Sequence, residues 1–188
     1  MSGLADELHV GLKEWAAVCS ALGDGRQILL LRKGGIHESA GKFELEHSQF
    51  AFFPTWLHQD PGMVKPADQG RVHRLAAEPA QVELSSAGQV TDILPLQSRA
   101  QMDALDDLHI WTAPLIDMRC NYRPQNPLYL MLVRTYRLPA PVTIENTPEY
   151  AGCKSWVPFA QPVATTGARA VLTDDQYAAL RADILGRL

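Results

Sequence analysis

The chain holds 188 residues, 46% of them hydrophobic and 20% charged, which is enough apolar material for one folded domain and leaves little room for two independent cores. Lys and Arg number 17 against 21 Asp and Glu, a net charge of −4, so a general electrostatic coat for nucleic acid is excluded and any such contact needs a local basic patch. The longest unbroken apolar run, Leu128 to Val133, falls far short of the roughly 18 residues of a membrane span.

Residues 1–11 read as an N-terminal tail or short helix, and residues 12–188 as a single α+β domain. Leu12–Leu22 and Gln27–Arg32 flank Gly23-Asp24-Gly25, a turn tripeptide, and predict an antiparallel hairpin. Ile28 to Leu31 form a continuous apolar run, as expected of a central strand buried on both faces. Phe43 to His47 alternate in period two and lead into the apolar Phe50–Phe53, which Pro54 should end. From Gln59 to Ala80 the chain carries Pro61, Gly62, Pro66, Gly70 and Pro79 without a period and reads as a long loop.

Val82–Leu84 and Val90–Leu94, separated by Ser85-Ser86-Ala87-Gly88, predict a second hairpin. Ser98 and Gln101 have capping-box spacing, opening a helix through about Leu108. Leu128–Leu138 is a core strand bounded by Pro139 and Pro141. Thr173 and Gln176 repeat the capping box, and Tyr177, Leu180, Ile184 and Leu188 share one face of a closing helix. The order of elements predicts a single-domain α+β fold: a mainly antiparallel sheet with a few packed helices.

Chemistry concentrates in four places. Arg32-Lys33-Gly34-Gly35 brings two cations and two permissive backbones to the end of a strand, a candidate anion site, although neither a phosphate-loop nor a dinucleotide motif is present. Trp56 and His58 follow Pro54, where an aromatic wall and an imidazole could serve a pocket; His58 is a candidate catalytic base or donor. Arg119, Tyr122 and Arg123 combine guanidinium groups with an aromatic ring, the composition that grips phosphates and stacks on exposed bases. Arg134 and Arg137 could extend that face but have opposite strand parity. Cys153 beside Lys154 is a candidate nucleophile, against the plain alternative of a small packed cysteine. Six histidines form no metal-ligand pattern, so neither a metal site nor a cofactor is expected.

Three widely spaced cysteines, Cys19, Cys120 and Cys153, suit reduced thiols, and the first residues lack a secretory pattern; a cytoplasmic address is expected, with no membrane partner.

Leu12-Lys13-Glu14-Trp15-Ala16, Gln27 to Ile36, Phe53-Pro54-Thr55 with His58-Gln59, Arg123-Pro124 with Pro127 to Leu130, and Gly152-Cys153-Lys154-Ser155-Trp156 resemble an uncharacterised bacterial family, the domain of unknown function numbered eighteen hundred and two. The resemblance runs roughly from Leu12 to Leu185. It implies an association with restriction-endonuclease-like domains and hence a DNA-linked role in restriction or modification, and supplies no catalytic residues. The chain contains no [DE]xK tripeptide, so recognition or docking is expected in preference to cleavage. The leading expectation is a non-catalytic nucleic-acid-recognition accessory that contacts DNA or RNA through a local patch of Arg32, Lys33, Arg119, Arg123, Tyr122 and Trp56. The rivals are a small-molecule enzyme or ligand-binding domain with an anion site at the Arg32–Gly35 turn, and a scaffold that binds a protein partner.

Overall fold

The computed structural model describes residues 3–33, 37–39, 42–44, 46–152 and 154–188. The chain runs through β1 (Glu7–Trp15), α1 (Ala16–Gly23), β2 (Leu29–Arg32), the short pair β3 (His37–Ser39) and β4 (Lys42–Glu44), and β5 (Gln49–Thr55). Two 3₁₀ turns, Pro61–Met63 and Pro66–Arg71, precede β6 (Gln81–Leu96); then come α2 (Arg99–Asp103), α3 (Ala113–Asn121), β7 (Leu128–Glu145), β8 (Trp156–Ala164), β9 (Arg169–Ala170) and α4 (Asp174–Arg187).

Seven strands form one sheet in the order β2-β7-β6-β5-β1-β8, with β9 added to β7. Every pairing is antiparallel except β1 with β5, so the fold is α+β with a mostly antiparallel mixed sheet. Alternation along β5 shows how the sheet divides two cores. Phe50 and Phe52 enter a large core that also takes residues from all four helices, while Ala51 and Phe53 enter a smaller one with Leu8, Val82, Leu84 and Val157. No helix among the described residues is long and apolar enough to cross a membrane.

Several local expectations change. Within the first segment strand β1 starts at Glu7, and it is the following Ala16–Gly23 that is helical. Ala17, Val18, Ala21 and Leu22 are fully buried there, and the Gly23-Asp24-Gly25 tripeptide ends the helix, with Gly25 at φ 71°, in place of turning a hairpin. β2 is buried on both faces as expected, yet it is an edge strand; its burial comes from the helices packed around it.

The second hairpin is also absent, because Ser85 to Gly88 lie inside the single strand β6, which is bent by register shifts at Leu84/Ser86 and Val90/Asp92. β7 likewise passes through Pro139 and Pro141, which fall in the unpaired stretch between Arg137 and Val142 where no ladder donor is needed. Pro54 does not end β5, which runs on to Thr55 beside β1. The α2 helix stops at Asp103, and a 3₁₀ turn, Asp106–Leu108, follows.

Candidate functional site

Because β1 and β5 run parallel, their carboxyl ends open on the same side, and a cleft of about 720 Å³ lies there. Glu14, Thr55 and His58 come from that end of the sheet, Arg32 from the end of β2, Arg119 from α3, and the far wall from residues 146–148, 150–152, 154 and 155.

The floor is a buried ion pair. Arg32 lies 3.2 Å from Glu14 Oε2 and its Nη2 donates to the Lys13 carbonyl at 2.9 Å, while Glu14 Oε1 accepts the Trp15 N–H at 2.9 Å. Burial pushes the Arg32 guanidinium below its ordinary pKa, which Glu14 opposes and the neighbouring charge of Arg119 reinforces. Arg119 itself has no hydrogen bond or ion pair among the described residues. The Lys13 ammonium donates to the carbonyls of Tyr150 and Gly152 and sits 5.7 Å from the Phe53 ring centroid. Lys154 donates to the Glu149 carbonyl at 3.1 Å.

The walls are tied together by main-chain hydrogen bonds. Glu78 Oε1 accepts from the N–H groups of Trp56 and Leu57 at 3.0 and 2.9 Å. This fixes the corner before His58, whose φ of 66° is left-handed, a conformation uncommon outside glycine and costly for a side chain that must hold it. Asn146 Nδ2 donates to the Pro79 carbonyl at 2.9 Å. Two buried polar atoms of cleft residues, Arg32 Nε and Thr147 Oγ1, have no partner among the described residues.

Of the residues singled out in the sequence, Arg32, His58 and Arg119 meet in this cleft. Lys33 is spent on the Cys120 carbonyl at 2.5 Å, at the end of α3. Tyr122 and Arg123 stand just beyond that helix, with Tyr122 54% exposed and the Arg123 guanidinium 5.2 Å from its ring centroid. Trp56 does not join them: Phe53 and Thr55 line the cleft, whereas Phe52, Pro54 and Trp56 line a separate hollow of about 450 Å³ beside α1. Gly34, Gly35 and Cys153 lie outside the described residues, although Gly152, Lys154 and Ser155 line the cleft.

Arg134 and Arg137 add nothing to a basic face at this site. Arg134 is buried, donates to Asp174 and lies 5.3 Å from the Tyr177 ring centroid, whereas Arg137 donates to the Gly23 carbonyl at 2.9 Å. Lys13 and Glu14 stand in the Leu12–Ala16 motif without a role readable from it, and Glu78 and Thr147 carry no motif, because their importance depends on segments far apart in the chain. No group of three His, Cys, Asp or Glu side chains suited to a metal ion occurs among the described residues.

Among known proteins, no curated sequence matches the chain. A crystal structure of a mutant ZmASCH protein from Zymomonas mobilis superposes with a TM-score of 0.45 and 9% identity, covering 95% of this chain and 98% of that one; a likeness so slight carries no argument about function. The family model for DUF1802, a domain of unknown function, matches residues 11–183, from β1 into α4. The chain belongs to the DUF1802 family.

Proposed function

We propose that this DUF1802 domain is a non-catalytic, cytoplasmic nucleic-acid-recognition accessory, linked to restriction and modification, that holds phosphate in the cleft at the ends of β1 and β5. The observation that carries this reading is Arg119: a guanidinium without a protein partner among the described residues, in a cleft with Lys13, Arg32 and Lys154, in the last turn of the helix that the exposed Tyr122–Arg123 pair follows. Phosphate contacts by Arg and base stacking on an aromatic–guanidinium platform are the two elements of single-strand recognition. A local site of this kind is compatible with a chain of net charge −4. The DNA-linked role follows from the association with restriction-endonuclease-like domains that the family resemblance implies.

Binding of short single-stranded DNA and RNA, followed by calorimetry at 50 and 200 mM salt, tests the reading. Affinity is expected to fall as salt rises, because each phosphate contact releases counterions. Arg119→Ala is expected to weaken binding about tenfold, within the range of a lost charge-assisted hydrogen bond. Absence of binding at low salt by the folded protein would overturn it.

A second reading, a small-molecule enzyme or ligand-binding domain, is favoured by one observation: the strained His58 and the residues flanking Cys153 share the cleft with Arg32. It predicts tight binding of a small anion with no affinity for strands.

A further inference from the structure

We propose that the cleft receives the phosphate monoester of a single nucleotide, free or at the end of a strand, with Arg119 as its anchor; this rests on the nucleic-acid reading and narrows it. The charge count comes first. Lys13, Arg32, Arg119 and Lys154 bring four positive charges to the cleft, and Glu14 and Glu78 bring two negative ones. Glu14 is spent on Arg32 and the Trp15 N–H, and Glu78 is turned onto the N–H groups of Trp56 and Leu57. Neither carboxylate faces an incoming anion without a partner already in place. Arg119 and Lys154, neither paired with a carboxylate among the described residues, match a monoester, which carries about −1.5 to −2 at neutral pH, better than the single charge of an internal phosphodiester.

Size and shape agree. A volume of about 720 Å³ falls in the roughly 300–1,000 Å³ range of pockets that enclose one small ligand, and the faces of Trp15, Phe53, Leu57 and Pro148 offer apolar wall to a sugar or base. Lys13 binds the 150–152 segment to β1, Asn146 binds the end of β7 to Pro79, and Glu78 binds the corner before His58. These ties hold the walls to one another. The unpartnered Thr147 Oγ1 and Arg32 Nε mark polar capacity left unused in two residues of the cleft.

The test compares, by calorimetry on the full chain, short strands ending in a 5′-phosphate, a 3′-phosphate or hydroxyls only, together with a nucleoside and its monophosphate. Phosphate-ended strands are expected to bind about tenfold more tightly than hydroxyl-ended ones, with one of the two ends preferred. The monophosphate is expected to bind while the nucleoside does not. A monophosphate as tight as the strand identifies free nucleotide as the source, and a tighter strand identifies strand ends. Arg119→Ala is expected to erase the discrimination with circular dichroism unchanged, and Arg119→Lys to restore part of it. Arg123→Ala, outside the cleft, should weaken all strands alike and keep it. Equal affinity for phosphate and hydroxyl ends overturns end capture while leaving nucleic-acid recognition standing; failure of every probe to bind overturns both.

Discussion

The Arg32 guanidinium and the Glu14 carboxylate meet at 3.2 Å under the cleft, with only 13% and 8% of their side chains exposed. Two strands that are not neighbours in the sheet are joined by this pair, since β2 and β1 stand at nearly opposite ends of the strand order. Removing one member of a buried pair strands the other charge in a poorly solvated place. Glu14→Gln is therefore expected to destabilise the fold by about 3 kcal/mol, read from urea unfolding, and the double variant Glu14→Leu/Arg32→Met to recover much of that loss. A Glu14→Gln variant within about 0.5 kcal/mol of the parent, the scatter of ordinary surface changes, would show that the pair is effectively solvated.

Gly88 faces Phe50 across the β5–β6 ladder, and a Cβ at that position would lie 2.7 Å from Val133 Cγ1, 2.8 Å from Phe50 Cε2 and 2.9 Å from Phe52 Cζ. All three neighbours are buried in the large core, so none can give way without disturbing the others. Gly88→Ala is expected to cost on the order of 2 kcal/mol through overpacking, seen as a lower urea midpoint at unchanged slope. Gly186→Ala, in α4 where nothing lies within 4 Å, serves as the comparison and is expected to leave stability unchanged or raise it by up to about 1 kcal/mol.

These two positions also mark what a one-dimensional reading captures. The capping signal at Thr173 and Gln176 and the apolar face of α4 were legible because a helix start and a helix face are local, within a few residues. The buried run Ile28–Leu31 was legible as a strand but not as an edge strand, since sequence reports burial and not which neighbour supplies it. Gly88 looked like a turn because glycine serves both turns and close approaches of packed side chains, and only the aromatic rings of β5 separate the two. Within the cleft, Arg32, His58 and Arg119 stood out by composition. Lys13 and Thr147 did not, because a lysine in a strand and a threonine in a loop acquire meaning only when residues more than a hundred positions apart are brought together. Trp56 was misplaced because, just past the end of β5, it lines a different hollow from His58.

Thr173 accepts the Gln176 N–H at 3.2 Å, and Gln176 Oε1 returns a bond to the Thr173 N–H at 3.0 Å. Asp174 and Asp175 follow at the positive end of the helix. Through α4 this cap steadies Tyr177 and Ile184, which are buried in the large core. Thr173→Ala is expected to cost about 1 kcal/mol and Thr173→Ser only a fraction of that, both without effect on ligand affinity, since α4 contributes no residue to the cleft. Equal losses in the two variants would point to the threonine methyl in place of the hydroxyl.

His109 is 1% exposed, and its Nδ1 accepts the Trp111 N–H at 3.2 Å, which requires the neutral ring. Burial, helped by the nearby Lys65 ammonium, lowers its pKa to about 4. The unfolded chain takes up that proton near 6.5, so between these values the unfolded state holds more protons than the folded one and stability rises with pH. The contribution of His109 is therefore complete above about pH 6.5 and is lost progressively as the pH falls towards 4, by on the order of 3 kcal/mol in all. Urea unfolding of the parent and of His109→Gln, which keeps an acceptor for the Trp111 N–H, isolates this contribution from that of the carboxylates, which also lose ground in acid. The two stability profiles should converge by most of that amount between about pH 7 and pH 4.5. Parallel profiles would mean that His109 gains its proton in the folded protein as readily as in the unfolded one.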